Sequence, residues 1–134
     1  MPPTDPSPDA IAPSFWEGVD QFNHQEFYAC HDTLEAIWME AMEPQKTFYQ
    51  GILQIAVAFY HLGNKNLRGA VILLGEGINR LRRYPSDYGA IDVDQLIAQS
   101  AELLGQLQQI QLQQSEAGLP DLEAFVLPAI AKLS

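Results

Sequence analysis

The residues best able to do chemistry sit close together in the first half of the chain. His31 and Glu35 stand four positions apart, with Trp38 three further on. On an α-helix that spacing lines all three along one strip of surface. Over the next apolar stretch, Gln50, Gln54 and His61 fall within about 40° of one another on a helical wheel. An imidazole beside a carboxylate supplies general acid–base chemistry or metal ligands. His31, Glu35 and His61 are therefore the candidate catalytic residues and also the candidate metal ligands. Gln50, Gln54, Trp38 and Asn66 are candidate ligand-binding groups. The spacing matches neither H-E-x-x-H nor the E-x-x-H of di-iron bundles. No cofactor is expected on that ground, with zinc or another divalent ion as the alternative. Cys30 adjoins His31, but successive residues on a helix point about 100° apart. Cys30 falls on the apolar stripe and is expected to be a buried, inert thiol.

Positioning these groups takes helices, and the periodicity supplies them. No segment sustains period-two alternation, so no sheet is expected. Residues 1–13 carry prolines at 2, 3, 6, 8 and 13 and read as a disordered tail. Residues 14–134 read as a single helical domain. A first helix over about 14–24 opens on Ser14-x-x-Glu17, the spacing of a capping box. A second, over 25–42, follows the weaker capping signal Asn23-x-x-Glu26 and buries Phe27, Cys30, Leu34, Ile37, Trp38 and Ala41. Pro44 separates it from a third, over 45–62, which is apolar nearly all round and therefore central. A fourth spans 65–84 with Asn64 or Asn66 as its cap, and a fifth spans 93–114 with Asp92 as its cap. A short last helix over 121–127 leads to an apolar end, 128–133, that must fold back on the bundle or pack on a second subunit. Gly69, Gly75 and Gly77 lie inside the fourth helix, where glycine points to close helix approach.

The fold class expected is an all-α compact bundle of five or six helices. Phe15, Val19, Phe22, Phe27, Cys30 and Leu34 align with Ile55, Phe59, Leu62, Leu67, Ala70 and Leu74 at an offset of 40 residues. That repeat suggests two stacked helical hairpins of the tetratricopeptide kind.

Composition bounds the function. The chain has 134 residues, 47% of them hydrophobic, which suits one core. The formal net charge of −10 argues against a nucleic-acid groove. No stretch approaches the roughly 18 consecutive apolar residues of a membrane span. The N-terminus lacks a secretion-signal pattern, and the expected location is cytoplasmic. Residues 1–45 hold nine acids and no Lys or Arg, whereas 65–83 hold Lys65, Arg68, Arg80, Arg82 and Arg83 against Glu76 alone.

His31-Asp32-x-x-Glu35-x-x-Trp38, then Gln50-Gly51-x-x-Gln54-x-Ala56, then His61 and Asn66-x-x-Gly69-Ala70, resembles domain-of-unknown-function family 309 over residues 15–84. That family usually reads His-Glu where this chain reads His31-Asp32, which keeps the acid and shortens it by one carbon. The resemblance implies a small all-α core over 15–84, followed here by C-terminal helices over 93–133. It implies no established reaction.

An unmatched buried amide costs about 1–3 kcal/mol. His31 and Glu35 are therefore expected to meet Gln50, Gln54 and His61 across a helix interface, in a buried polar cluster. The expected function is a non-enzymatic interaction or structural domain, with a protein partner or a second copy of itself. The alternative is a metal-dependent or acid–base enzyme acting on a small molecule through His31, Glu35 and His61.

Overall fold

The computed structural model describes residues 11–113 and 119–133. Five α-helices account for most of them: α1 (Phe15–Asn23), α2 (Phe27–Glu40), α3 (Gln45–Gly63), α4 (Leu67–Leu81) and α5 (Val93–Leu112). Short 3-10 turns occur at Tyr88–Ala90 and Leu122–Ala124. Among the described residues there is no strand beyond one isolated bridge, between Ile91 and Lys132. No described helix is long and apolar enough to cross a membrane.

Helix α3 is central, as its nearly unbroken apolar character predicts. It packs against α2 and α4, and α5 covers α4. Phe48, Ile52, Ile55, Phe59 and Leu62 are buried along one side of α3, and Tyr49, Leu53 and Ala56 along another. Helices α3 and α4 approach each other closely. A Cβ placed on Gly77 would lie 2.6 Å from the Gly51 carbonyl oxygen, so these two backbones touch. Gly75 meets only Leu104, at 3.9 Å, and is not a contact of that kind.

The 40-residue repeat is present in the backbone. Each hairpin turns at a non-glycine residue in the left-handed region, Gln25 (φ 60°) in the first and Lys65 (φ 63°) in the second. In the first turn Gln25 N donates to Phe22 O, and Glu26 N to Gln21 O at 2.8 Å. In the second, Lys65 N donates to Leu62 O, and Asn66 N to His61 O at 2.8 Å. This is the Schellman pattern, which satisfies the last carbonyls of one helix and aims the chain into the next. Phe22, Phe27, Cys30 and Leu34 are buried in the first hairpin, and Leu62, Leu67, Ala70 and Leu74 at the matching places in the second.

These turns also correct the expected boundaries. Helix α2 cannot begin at 25, where φ is positive, and it ends at Glu40 because Ala41 is extended ahead of Pro44. Ser14 does not cap α1, since its own backbone is already helical and its hydroxyl makes no cap bond. Asn23 caps nothing either; its amide brackets Ile130, accepting from Ile130 N at 2.8 Å and donating to Ile130 O at 2.9 Å. Asn66 and Asp92 do cap α4 and α5, accepting from Gly69 N and Gln95 N. At the start of α3, Glu43 accepts from Thr47 N (2.9 Å) and Thr47 Oγ1 (2.6 Å). Those bonds hold the Glu43 carboxyl below the usual glutamate range.

The apolar C-terminal end folds back on the bundle. The last helix expected over 121–127 shrinks to the turn at 122–124, and the backbone is already extended at Phe125. Ile130 is buried, Asp92 N donates to Ala131 O, and Leu133 N donates to Ala90 O. Residues 1–10 of the expected tail lie outside the described residues. Ile11 and Ala12 are packed on the core, with Ala12 N donating to the Tyr49 hydroxyl.

Candidate functional site

Helix α2 buries Phe27, Cys30 and Leu34. His31 and Glu35 each follow a buried residue by one position, so they are rotated about 100° from that line, onto the flank. The flank is half-exposed. Side-chain exposure is 34% for His31, 63% for Asp32 and 47% for Glu35. The expected buried polar cluster is therefore not found: among the described residues, Ser100 is the only buried polar side chain. His31 stands between two carboxylates, with Nδ1 3.5 Å from Asp32 Oδ1 and Nε2 3.6 Å from Glu35 Oε2. Both nitrogens are within ion-pair range, though too far for a good hydrogen bond.

Helix α3 supplies the opposite wall. Tyr28 and His31 of α2 with Val57, Tyr60 and His61 of α3 line a recess of about 160 Å³. Tyr28 and Tyr60 are 61% and 41% exposed, and their ring centroids lie 5.6 Å apart. The His31 ring is 6.3 Å from Tyr28, and the His61 ring 6.2 Å from Tyr60. Four aromatic rings thus run across the seam between the two helices. Tyr28 and Tyr60 also border a wider cleft of about 560 Å³, which extends to Glu26, Gly63, Asn64 and Leu122.

Asn66 orients His61. Its Oδ1 accepts from Gly69 N at 3.0 Å, which turns Nδ2 towards His61 Nδ1 at 3.3 Å. With Nδ1 accepting, the neutral imidazole carries its proton on Nε2. The cap of α4 and the histidine of the recess are one connected unit.

The structure thus brings His31 and His61 to one recess, with Glu35 beside His31 and Asn66 beside His61. It does not bring Gln54 there. Gln54 faces α4, donating through Nε2 to Glu76 at 3.1 Å and accepting from Arg80 at 3.2 Å. On that side Glu76 and Arg80 of α4 give the amide an acceptor and a donor together. Gln50 is half-buried one turn earlier on α3 and does not line the recess. Trp38 is used elsewhere too. Lys46 Nζ sits 4.3 Å from its ring centroid and donates to its carbonyl at 2.9 Å.

Tyr28 and Tyr60 did not stand out as site residues in the sequence, because tyrosine at helical spacing reads as core. The available signal was position: Tyr28 adjoins the buried Phe27, and Tyr60 adjoins the buried Phe59, so each is turned off the core line. Cys30 is buried as expected, and burial pushes its thiol up to about 12, far from a thiolate nucleophile at neutral pH. Among the described residues no three His, Cys, Asp or Glu side chains converge to hold a metal ion.

Residues 15–73 match the family model of a domain of unknown function, DUF309, the family that the motifs resemble. The match contains α1 to α3 and the first half of α4, and with them every residue of the recess. A 59-residue stretch is 34% identical to the "Uncharacterized protein YpuF" of Bacillus subtilis (strain 168), covering 43% of this chain and 34% of that protein. The chain therefore spans about a third of the length of this relative.

Proposed function

We propose that the protein is a non-enzymatic binding module and that its binding face is the seam of α2 and α3 around Tyr28, His31, Val57, Tyr60 and His61. The observation that carries this reading is exposure. A polar cluster that only fixed helix register would be closed and mutually hydrogen-bonded. This one borders a recess and leaves two tyrosines in solvent. Exposed aromatic groups grouped in one place mark interaction surfaces more often than supports. The enzymatic alternative has less behind it. A general base must turn a lone pair towards its substrate. Both His31 nitrogens face carboxylates, and the neutral His61 would point an N–H.

The test is a set of two-dimensional amide NMR titrations with N-acetyl amino-acid amides, one per side-chain type. We expect at least one of them to shift the amides of residues 28, 31, 57, 60 and 61 in a saturable way. Binding by none of them, or shifts confined to another face, would overturn the reading.

A further inference from the structure

We infer that the recess receives the guanidinium of an arginine side chain presented by a partner protein. The inference rests on the reading of the α2–α3 seam as a binding face and names its ligand.

Size comes first. A recess of about 160 Å³ takes one planar head group and a short alkyl stem. It is below the roughly 300 Å³ at which pockets for whole small molecules begin. A ligand that fits must therefore be the tip of something larger.

The walls then select charge. Tyr28 and Tyr60 present aromatic surface at a centroid separation of 5.6 Å, with the His31 ring 6.3 Å from Tyr28. An aromatic face attracts a cation within about 6 Å of its centroid. Beside these rings stand two carboxylates, Asp32 and Glu35, both solvent-accessible and both gathered round His31. Aromatic rings in the recess, with two carboxylates held beside its His31, complement a flat, delocalised cation that stacks and donates several N–H bonds at once. Arginine has that shape, and lysine, a compact point charge, does not.

Three of the chain's own cations, Lys46, Lys65 and Arg80, are engaged elsewhere. Residues 11–45 contain no Lys or Arg. The nearest in sequence, Lys46, lies over Trp38, and Lys65, beyond His61, is bound to Asp121 at 2.7 Å. Arg80 donates to Gln54 on the α4 side. The formal charge of −10 also draws basic partners towards the molecule.

The probes are N-acetyl-arginine amide, its neutral isostere N-acetyl-citrulline amide, N-acetyl-lysine amide and free L-arginine, each titrated into the whole protein and followed at residues 28, 31, 57, 60 and 61. The arginine amide is expected to bind about ten-fold more tightly than the citrulline amide, the size expected of a cation–aromatic contact assisted by carboxylates. The double variant Asp32→Asn with Glu35→Gln is expected to keep the parent melting temperature and lose most of that preference. Equal binding of citrulline, or tighter binding of lysine, would overturn the arginine assignment and leave the binding face standing. Tighter binding of free L-arginine than of the capped form would overturn the partner-borne source. If no amide of any type reaches the recess, the binding face itself fails.

Discussion

Phe48→Ala is expected to cost about 3–5 kcal/mol of folding stability, the range for truncating a buried phenylalanine. Phe48 is fully buried and is the hub of an aromatic cluster. Its ring lies 4.6 Å from Tyr88, 5.3 Å from Tyr84, 5.7 Å from Phe15 and 6.1 Å from Tyr49, centroid to centroid. Those partners come from α1, from α3 itself and from the chain after α4. Collapse into the space left by the ring would have to move several elements, so the cavity term stays large. Set against a typical total of about 5–15 kcal/mol, the loss is a substantial share. Urea unfolding of the two proteins measures it directly, and a loss below about 1 kcal/mol would contradict this view of the core.

Gly77→Ala is expected to destabilise by about 1–3 kcal/mol, the range for overpacking a tight contact. On helix propensity alone the sign would be opposite, since alanine is favoured over glycine by about 1 kcal/mol inside a helix. The added methyl would meet the Gly51 carbonyl oxygen at 2.6 Å and Ile55 Cγ1 at 2.8 Å, and a backbone atom cannot step aside as a flexible side chain can. Gly75→Ala is the internal control. Its Cβ has ordinary contact only with Leu104, at 3.9 Å. There propensity acts alone, and the substitution should stabilise by up to about 1 kcal/mol. Thermal and urea unfolding of the pair should move in opposite directions. Both moving the same way would show that the α3–α4 crossing is looser than the backbone contact implies.

Much of this architecture is legible in the residues. The apolar pattern locates five helices to within a few positions, and an apolar surface that runs nearly all round singles out α3 as central. Asp92 can be picked as a cap, and Asn66 as one of two candidates beside Asn64, because a side-chain acceptor stands just before an amphipathic run. The offset that matches Phe22 with Leu62 and Phe27 with Leu67 proves to be one turn geometry used twice. Other features depend on three-dimensional competition that periodicity does not carry. Asn23 looks like a cap until Ile130, more than a hundred residues away, claims both ends of its amide. A helical wheel puts Gln50, Gln54 and His61 on one strip, yet it does not say which neighbour that strip faces. Gln54 turns to α4 and His61 to Asn66. A wheel does not measure depth either. His31 and Glu35 follow buried positions by one residue, and that single step places them at the half-exposed edge of the helix.

The central claim is that the side chains on the α2–α3 seam serve a ligand and do little to hold the helices together. Its most direct test is the stability of one triple variant, Tyr28→Ala with His31→Ala and Glu35→Gln, measured by urea unfolding beside Phe48→Ala. Exposed positions usually change stability by about 0.5 kcal/mol each or less. The triple variant is therefore expected to stay within about 1.5 kcal/mol of the parent, with an unchanged urea dependence. A loss as large as that of Phe48→Ala would mean that the seam is a structural support, and would contradict the account.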